Sequence, residues 1–200
     1  MADIETFLEE KFADKDWSGL SLKQANFESC TFSGMDFCDL KASGVTYNKC
    51  KFLSCKFNGA TFDLCAFLNC EFKFCDMFTT CFARCKTTGS SFAEVDFSTV
   101  DLDGGNWSYA NLQYCYFSHK SLNEINFTGA DLRNADFSKG RIKNCDFSDA
   151  LLSCTNFQNA DIRENRFNNF DIYTTNFKGA KVDLEIAVTA AEMLGAKFMG

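Results

Sequence analysis

From Trp17 to Val182 a large apolar residue returns at every fifth position, as in Phe27, Phe32 and Phe37 and, far downstream, Phe147, Leu152, Phe157 and Ile162. Only Ala42 and Thr87 interrupt the series, its phase never slips, and it holds 18 of the 24 phenylalanines. Two residues before each large member stands a small one, such as Ala25, Cys30, Cys50, Ala60, Ala130 or Ala150. The residue between them is Asp or Asn about half the time, as in Ala130-Asp131-Leu132 and Ala135-Asp136-Phe137. On an α-helix, residues five apart are rotated by about 140°, which would smear the phenylalanines around every face. On a flat strand an odd period sends successive members to opposite faces. A chain that bends inward at every unit satisfies the pattern. Small and large residues then point to a common axis, and stacked coils pair as parallel ladders about 4.8 Å apart. The intervening Asp or Asn suits the turn, where its side chain can bond nearby backbone. The reading is an all-β solenoid over residues 15–182.

The two ends break the pattern. In residues 1–14, Ile4, Phe7, Leu8 and Phe12 stand at helical spacing among acids, which predicts a short amphipathic α-helix capping the first coil. After Val182 the fivefold series stops, and residues 183–200 are Ala-rich and helix-favouring, with Gly195 placed to end the helix. A tail carrying Leu184, Ile186, Val188, Ala190, Met193, Leu194 and Phe198 must bury itself on the last coil or on a second copy of the chain.

Composition narrows the class. There is no proline in 200 residues, where a twentieth, or roughly ten, is usual. A chain that needs nearly every backbone N–H for ladders excludes proline for that reason. A formal charge of -7 argues against a protein that works by neutralising phosphates, so no direct nucleic-acid binding is expected. No apolar run approaches the ~20 residues of a membrane span. The acidic start, Met1-Ala2-Asp3-Ile4-Glu5, lacks the positive charge of a signal peptide, so a cytoplasmic location is expected. Nine of the 12 cysteines fall in the small register and read as compact hydrophobes, leaving Cys38, Cys81 and Cys154 as the more exposed thiols. The single histidine, His119, is outward with no nucleophile beside it, and the packed interior offers no cleft. We expect no enzyme, no cofactor and no metal. Outward positions do hold unusual apolar groups: Leu53, Leu64, Leu68, Phe74, Phe78, Tyr109, Tyr114, Tyr116 and Tyr173. Exposed aromatics of this kind mark partner surfaces.

The repeat resembles that of the pentapeptide-repeat family, which implies a right-handed quadrilateral β-helix with four units per coil, and so about eight coils here. On four sides, one face gathers Asp16, Asp36, Asp39, Asp76, Asp96 and Asp136 together with Lys15, Lys56, Lys139 and Lys178. Within the family, Asn106-Trp107-Ser108-Tyr109-Ala110-Asn111 and the tail, from Phe177-Lys178-Gly179-Ala180-Lys181-Val182-Asp183 to Ala190-Ala191-Glu192-Met193-Leu194-Gly195, resemble the Qnr-type quinolone-resistance proteins and their topoisomerase-protecting relatives. That resemblance implies binding to bacterial DNA gyrase or topoisomerase IV, partly as a DNA mimic, relief of quinolone or peptide-toxin poisoning, and a homodimer joined through the C-terminus. The unbroken phase leaves no room for the projecting loops that many Qnr proteins carry. On this reading the partner surface comprises Asp36, Asp76, Asp96, Asp136, Phe74, Phe78 and Tyr114, and the dimer surface the seven tail residues named above. Two other readings stay open: a non-catalytic interaction scaffold with a different partner, and a purely structural rod in which Asp at the turn serves only the fold.

Overall fold

In the computed structural model, which describes residues 5–93 and 95–197, ladder partners lie twenty residues apart on each side of a rod. Four five-residue sides therefore close each coil of a parallel β-solenoid. On the first side Glu5–Leu8, Ala25–Glu28, Thr46–Asn48 and Ala66–Leu68 pair in register, aligning Phe7, Phe27, Tyr47 and Phe67. The second side aligns Lys11–Ala13, Thr31–Ser33, Lys51–Leu53 and Glu71–Lys73. On the third the ladder is reduced to single bridges, Asp16 to Asp36 to Lys56 to Asp76. The fourth aligns Ser21–Lys23, Lys41–Ser43, Thr61–Asp63, Cys81–Ala83 and Asp101–Asp103. Later coils continue the same ladders, as far as the bridges Asn156 to Asn176 and Asp161 to Lys181.

The large register fills the axis. Along one side, rings stack face to face, with Phe32–Phe52 at 4.8 Å and Phe52–Phe72 at 4.6 Å between centroids. Rings from neighbouring sides meet edge to face, as Phe52 meets Phe57 at 5.6 Å and 67°. Both geometries suit the aromatic quadrupole. The two gaps in the series have packing explanations. Ala42 shares its coil with Met35 and Leu40, which are large, fully buried members of the usually small register. Thr87 lies one coil below Trp107 on the same side, and the short side chain leaves room for the indole. Gly105 sits so close to the Cys85 backbone that a Cβ would collide with the carbonyl, and its φ of 105° also favours glycine.

Corners fall two residues after each large one, nearly always in left-handed backbone: Glu9, Asp14, Gln24 and Ser29 have φ between 49° and 55°. Two kinds of turn share this corner. On the third side every turn from Trp17 to Phe177 is closed by a hydrogen bond from the N–H three residues on, such as Leu40 N to Phe37 O at 3.1 Å and Ala60 N to Phe57 O at 2.8 Å. On the fourth side from Leu22 to Ile142 no such bond forms. The first and second sides switch near Thr87. They are open through Phe67 and Phe72 and closed from Thr87 to Phe147 and from Phe92 to Leu152, beginning with Ser90 N to Thr87 O and Val95 N to Phe92 O, both 3.0 Å. On the last coil Phe167 lacks the bond, and Thr175 N turns back to Asp171 O instead.

An open turn leaves the core residue's carbonyl without its local donor, and buried carbonyls need one. On the first side each is met by a side chain from the next coil. Cys30 Sγ donates to Phe7 O, Cys50 Sγ to Phe27 O and Cys70 Sγ to Tyr47 O at 3.3–3.5 Å, and Ser90 Oγ to Phe67 O at 2.8 Å. Cys55, Cys75 and Cys85 do the same for Phe32, Phe52 and Phe62. The cysteines are thus small and weakly donating at once.

The expected N-terminal helix is not formed. Glu5–Leu8 and Lys11–Ala13 are strands that extend the ladders toward the N-terminus. Phe7 and Phe12 belong to the fivefold series as well as to a helical spacing, and stacking at 4.8 Å on Phe27 and 5.0 Å on Phe32 decides between them. At the other end an α-helix, α1 (Leu184–Met193), forms as expected. Asp183 caps it, accepting from Ile186 N at 3.1 Å and from Glu164 N at 2.8 Å, which ties the helix to a corner of the rod. Gly195 (φ 89°) ends it. Ile186 is buried, and an apolar cleft of about 210 Å³ separates the helix from Phe170, Ile172 and Phe177 of the last coil. Among the described residues no helix is long and apolar enough to cross a membrane.

Candidate functional site: the third face of the rod

All seven residues expected at a partner surface lie on the third face or its leading corner. Asp36, Asp76, Asp96 and Asp136 occupy the same register position, one coil or more apart. Each is also a turn residue, because its Oδ1 accepts the N–H two residues on: Cys38 at 3.0 Å, Phe78 at 3.1 Å, Ser98 at 2.8 Å and Ser138 at 2.8 Å. Asn106, Asn111, Asn126 and Asn156 make the same bond elsewhere, so the turn needs the side-chain oxygen and not the charge. The Cys38 thiol and N–H hold the Asp36 carboxyl below the usual carboxylate range. Asp76 Oδ2 accepts from Asn58 at 2.9 Å and Asp136 Oδ1 from Asn156 at 3.0 Å.

The aromatics stand among these carboxylates. Phe74 occupies the corner leading into the face at φ 55° and is 88% exposed, while Phe78, on the same coil, is 57% exposed. Tyr114 holds the same corner two coils on at φ 61°, 51% exposed, and Tyr116 projects from the face, 58% exposed. The sequence marks Tyr116 as an outward aromatic but not as a member of the site. Its register position, shared with the aspartates, is the signal that places it there. Beside Phe74 a recess of about 330 Å³ opens against Glu71, Cys75, Ser91 and Val95. Tyr109, 66% exposed, lays one edge of its ring against Gly129 of the neighbouring coil. Leu53 and Leu68, expected outward, are half-buried.

The remaining candidates are quickly placed. All 12 cysteines are free, with Cys154 exposed and Cys38, Cys75 and Cys81 half-buried. Burial raises the Cys65 and Cys145 thiols to about 11. His119 is exposed at a corner. Among the described residues no cluster of His, Cys, Asp or Glu converges on a metal position. On the terminal helix, Leu184 and Leu194 are well exposed, Val188 and Ala190 are half-buried, and Met193 packs against the core. Ile186 is not available to a second copy, because it is spent on the rod's own last coil. Phe198 lies outside the described residues.

The Pentapeptide repeats family model matches residues 110–149 and 141–179, with eight copies of the repeat. Residues 110–179 are pentapeptide repeats. Up to Leu152 the matched span falls where turns on three sides of the rod are hydrogen-bonded. Several solved structures share this protein's fold. A trypsin-treated point variant of QnrB1, a plasmid-mediated fluoroquinolone resistance protein, aligns with a TM-score of 0.80 at 22% identity, covering 98% of each chain. A second trypsin-treated variant gives 0.58 at 23% identity, again over 98% of each chain. Full-length QnrB1 gives 0.55 at 19% identity, over 96% of this chain and all of that one. No protein of curated function matches the sequence.

Proposed function

We propose that this protein binds a bacterial type II topoisomerase, DNA gyrase or topoisomerase IV, and protects it from quinolone or peptide-toxin poisoning. The observation that carries this reading is the end-to-end likeness to a fluoroquinolone resistance protein, over 98% of each chain at a TM-score of 0.80. The third face supports it. Asp76 and Asp96 stand one coil apart, about 4.8 Å along the rod, and an acidic surface of this kind meets the DNA-binding channel of a topoisomerase in partial imitation of duplex DNA. The imitation is partial because duplex DNA carries a charge every ~1.7 Å of axis, and Lys56 and Tyr116 interrupt the acidic row. Two rods join through the terminal helix into a homodimer in the cytoplasm, with Leu184 and Leu194 as the exposed apolar contacts.

Titrating the protein into a gyrase supercoiling reaction, with and without a quinolone, tests the reading. Restored supercoiling in the presence of drug is the expected result. Inhibition without rescue would leave competition with DNA but remove protection, and no effect on gyrase or topoisomerase IV would end the proposal. The dimer is checked separately by light scattering, where Leu184→Asp with Leu194→Asp yields monomers. A wild-type protein already monomeric at micromolar concentration would contradict it.

A further inference from the structure

We propose that the third face between Lys56 and Lys139 docks an arginine-bearing basic segment of a partner protein, gripped by Phe74, Phe78, Tyr114 and Tyr116 with Asp76 and Asp96 between them. This rests on the reading that the face meets a partner, though not on that partner being a topoisomerase.

The first argument is conformational. Phe74 and Tyr114 hold left-handed corners, at φ 55° and 61°, where glycine and asparagine fit best and a bulky residue is strained. Asn134, Asn144 and Asn159 fill equivalent corners. An aromatic side chain that is 88% exposed, as Phe74 is, buries almost nothing to offset that strain. The corner requires the left-handed backbone but not an aromatic ring, so a strained and exposed aromatic there points to function.

The second argument is charge complementarity. Between Lys56 and Lys139 this face carries Asp76, Asp96 and Asp136 against one half-buried cation, Lys120, which closes the turn after Phe117 near Asp96, while Lys73, beside the recess, is paired with Glu71. Four exposed aromatics around two carboxylates offer ring faces and charge to the same cation. A guanidinium satisfies both, stacking on a ring while donating to a carboxylate, and does so better than an ammonium. The recess beside Phe74, about 330 Å³, accepts an apolar neighbour from the same segment. Aromatic anchors surrounded by polar groups are the usual form of an energetic centre in a protein interface.

The variants that test this keep the fold. Phe74→Asn with Tyr114→Asn removes the rings and supplies the residue other corners already use. Asp76→Asn with Asp96→Asn removes charge while keeping the side-chain oxygen that closes each turn. The probe is a fluorescein-labelled (Arg-Gly)6 peptide read by anisotropy, with (Lys-Gly)6 as comparison. We expect saturable binding, tenfold or more weaker for each double variant, several-fold weaker for the lysine peptide, and a flatter salt dependence in the aspartate variant. Melting temperatures should be unchanged for the aspartate pair and unchanged or higher for the aromatic pair. Failure of the arginine peptide to bind would overturn the proposal, as would equal binding by either double variant, which would put the peptide on the acidic first coil instead. Equal affinity for both peptides would overturn the arginine preference. Peptide binding that persists in a protein without effect on gyrase would leave this inference standing and remove the topoisomerase reading.

Discussion

The rod has two halves that obey one period by different means. Before Phe72, three of its four sides carry three- or four-residue strands with open turns, and cysteine thiols from the next coil meet many of the carbonyls those turns release. After Thr87, the first and second sides change to hydrogen-bonded turns, the small register shifts toward alanine, and Asn or Asp closes the corner from within. Turn type therefore belongs to a column of stacked corners more than to a single unit. Asn26 has the right side chain for a closed turn yet stays open beside open neighbours, while Lys56 and Tyr116 lack it yet stay closed. Ladder registry overrides local preference. Each of the two switching columns changes near Thr87 and keeps its new turn until the last coil, and the unusual surface aromatics gather around that junction.

Truncating the core tests the halves at the largest scale. Phe52→Ala, which empties a ring stacked on both neighbours, should cost about 3–5 kcal/mol, and Leu132→Ala in the other half about 2–5 kcal/mol, both by urea denaturation. At the junction, Thr87→Phe should overpack the column beneath Trp107 and cost about 1–3 kcal/mol. Adding Trp107→Phe should return much of it, and a purely additive double variant would refute the paired-size account.

Smaller effects separate the two ways of satisfying a carbonyl. Cys50→Ala orphans the Phe27 carbonyl and should cost about 1–3 kcal/mol. Cys50→Ser, which copies the bond Ser90 makes, should cost clearly less, and equal losses would show that the thiol acts only by its volume. The raised thiols add a pH signature. A pKa lifted by folding gives stability that is fully present below the ordinary thiol value near 9 and is lost as pH rises through about 11. Cys65→Ala with Cys145→Ala should flatten the fall in urea midpoint between those values, and an unchanged slope would assign alkaline unfolding elsewhere. Finally, Thr79→Asn relieves a β-branched residue at φ 55° and should gain up to about 1 kcal/mol.

Much of this is legible from spacing alone. An unbroken period of five allows only an inward-bending coil, and the outward aromatics stand out because every inward position is already assigned. The N-terminus misleads because Phe7 and Phe12 suit both a helix and the repeat, and only the rings waiting at Phe27 and Phe32 settle which wins. The cysteines read as small but not as donors, because their acceptors lie 23 residues away on another coil. Likewise the tail's apolar residues do not say which side of the helix covers its own rod, and Ile186 proves to be on that side.

The most direct test of the functional account is equilibrium binding to immobilised gyrase by the wild type and by a variant carrying Asn at positions 36, 76, 96 and 136. The account predicts saturable binding by the wild type, weakened tenfold or more in the variant while its unfolding curve stays in place. Equal binding by the two proteins would contradict it, since the turns would be intact and the acidic face would have no part in recognition.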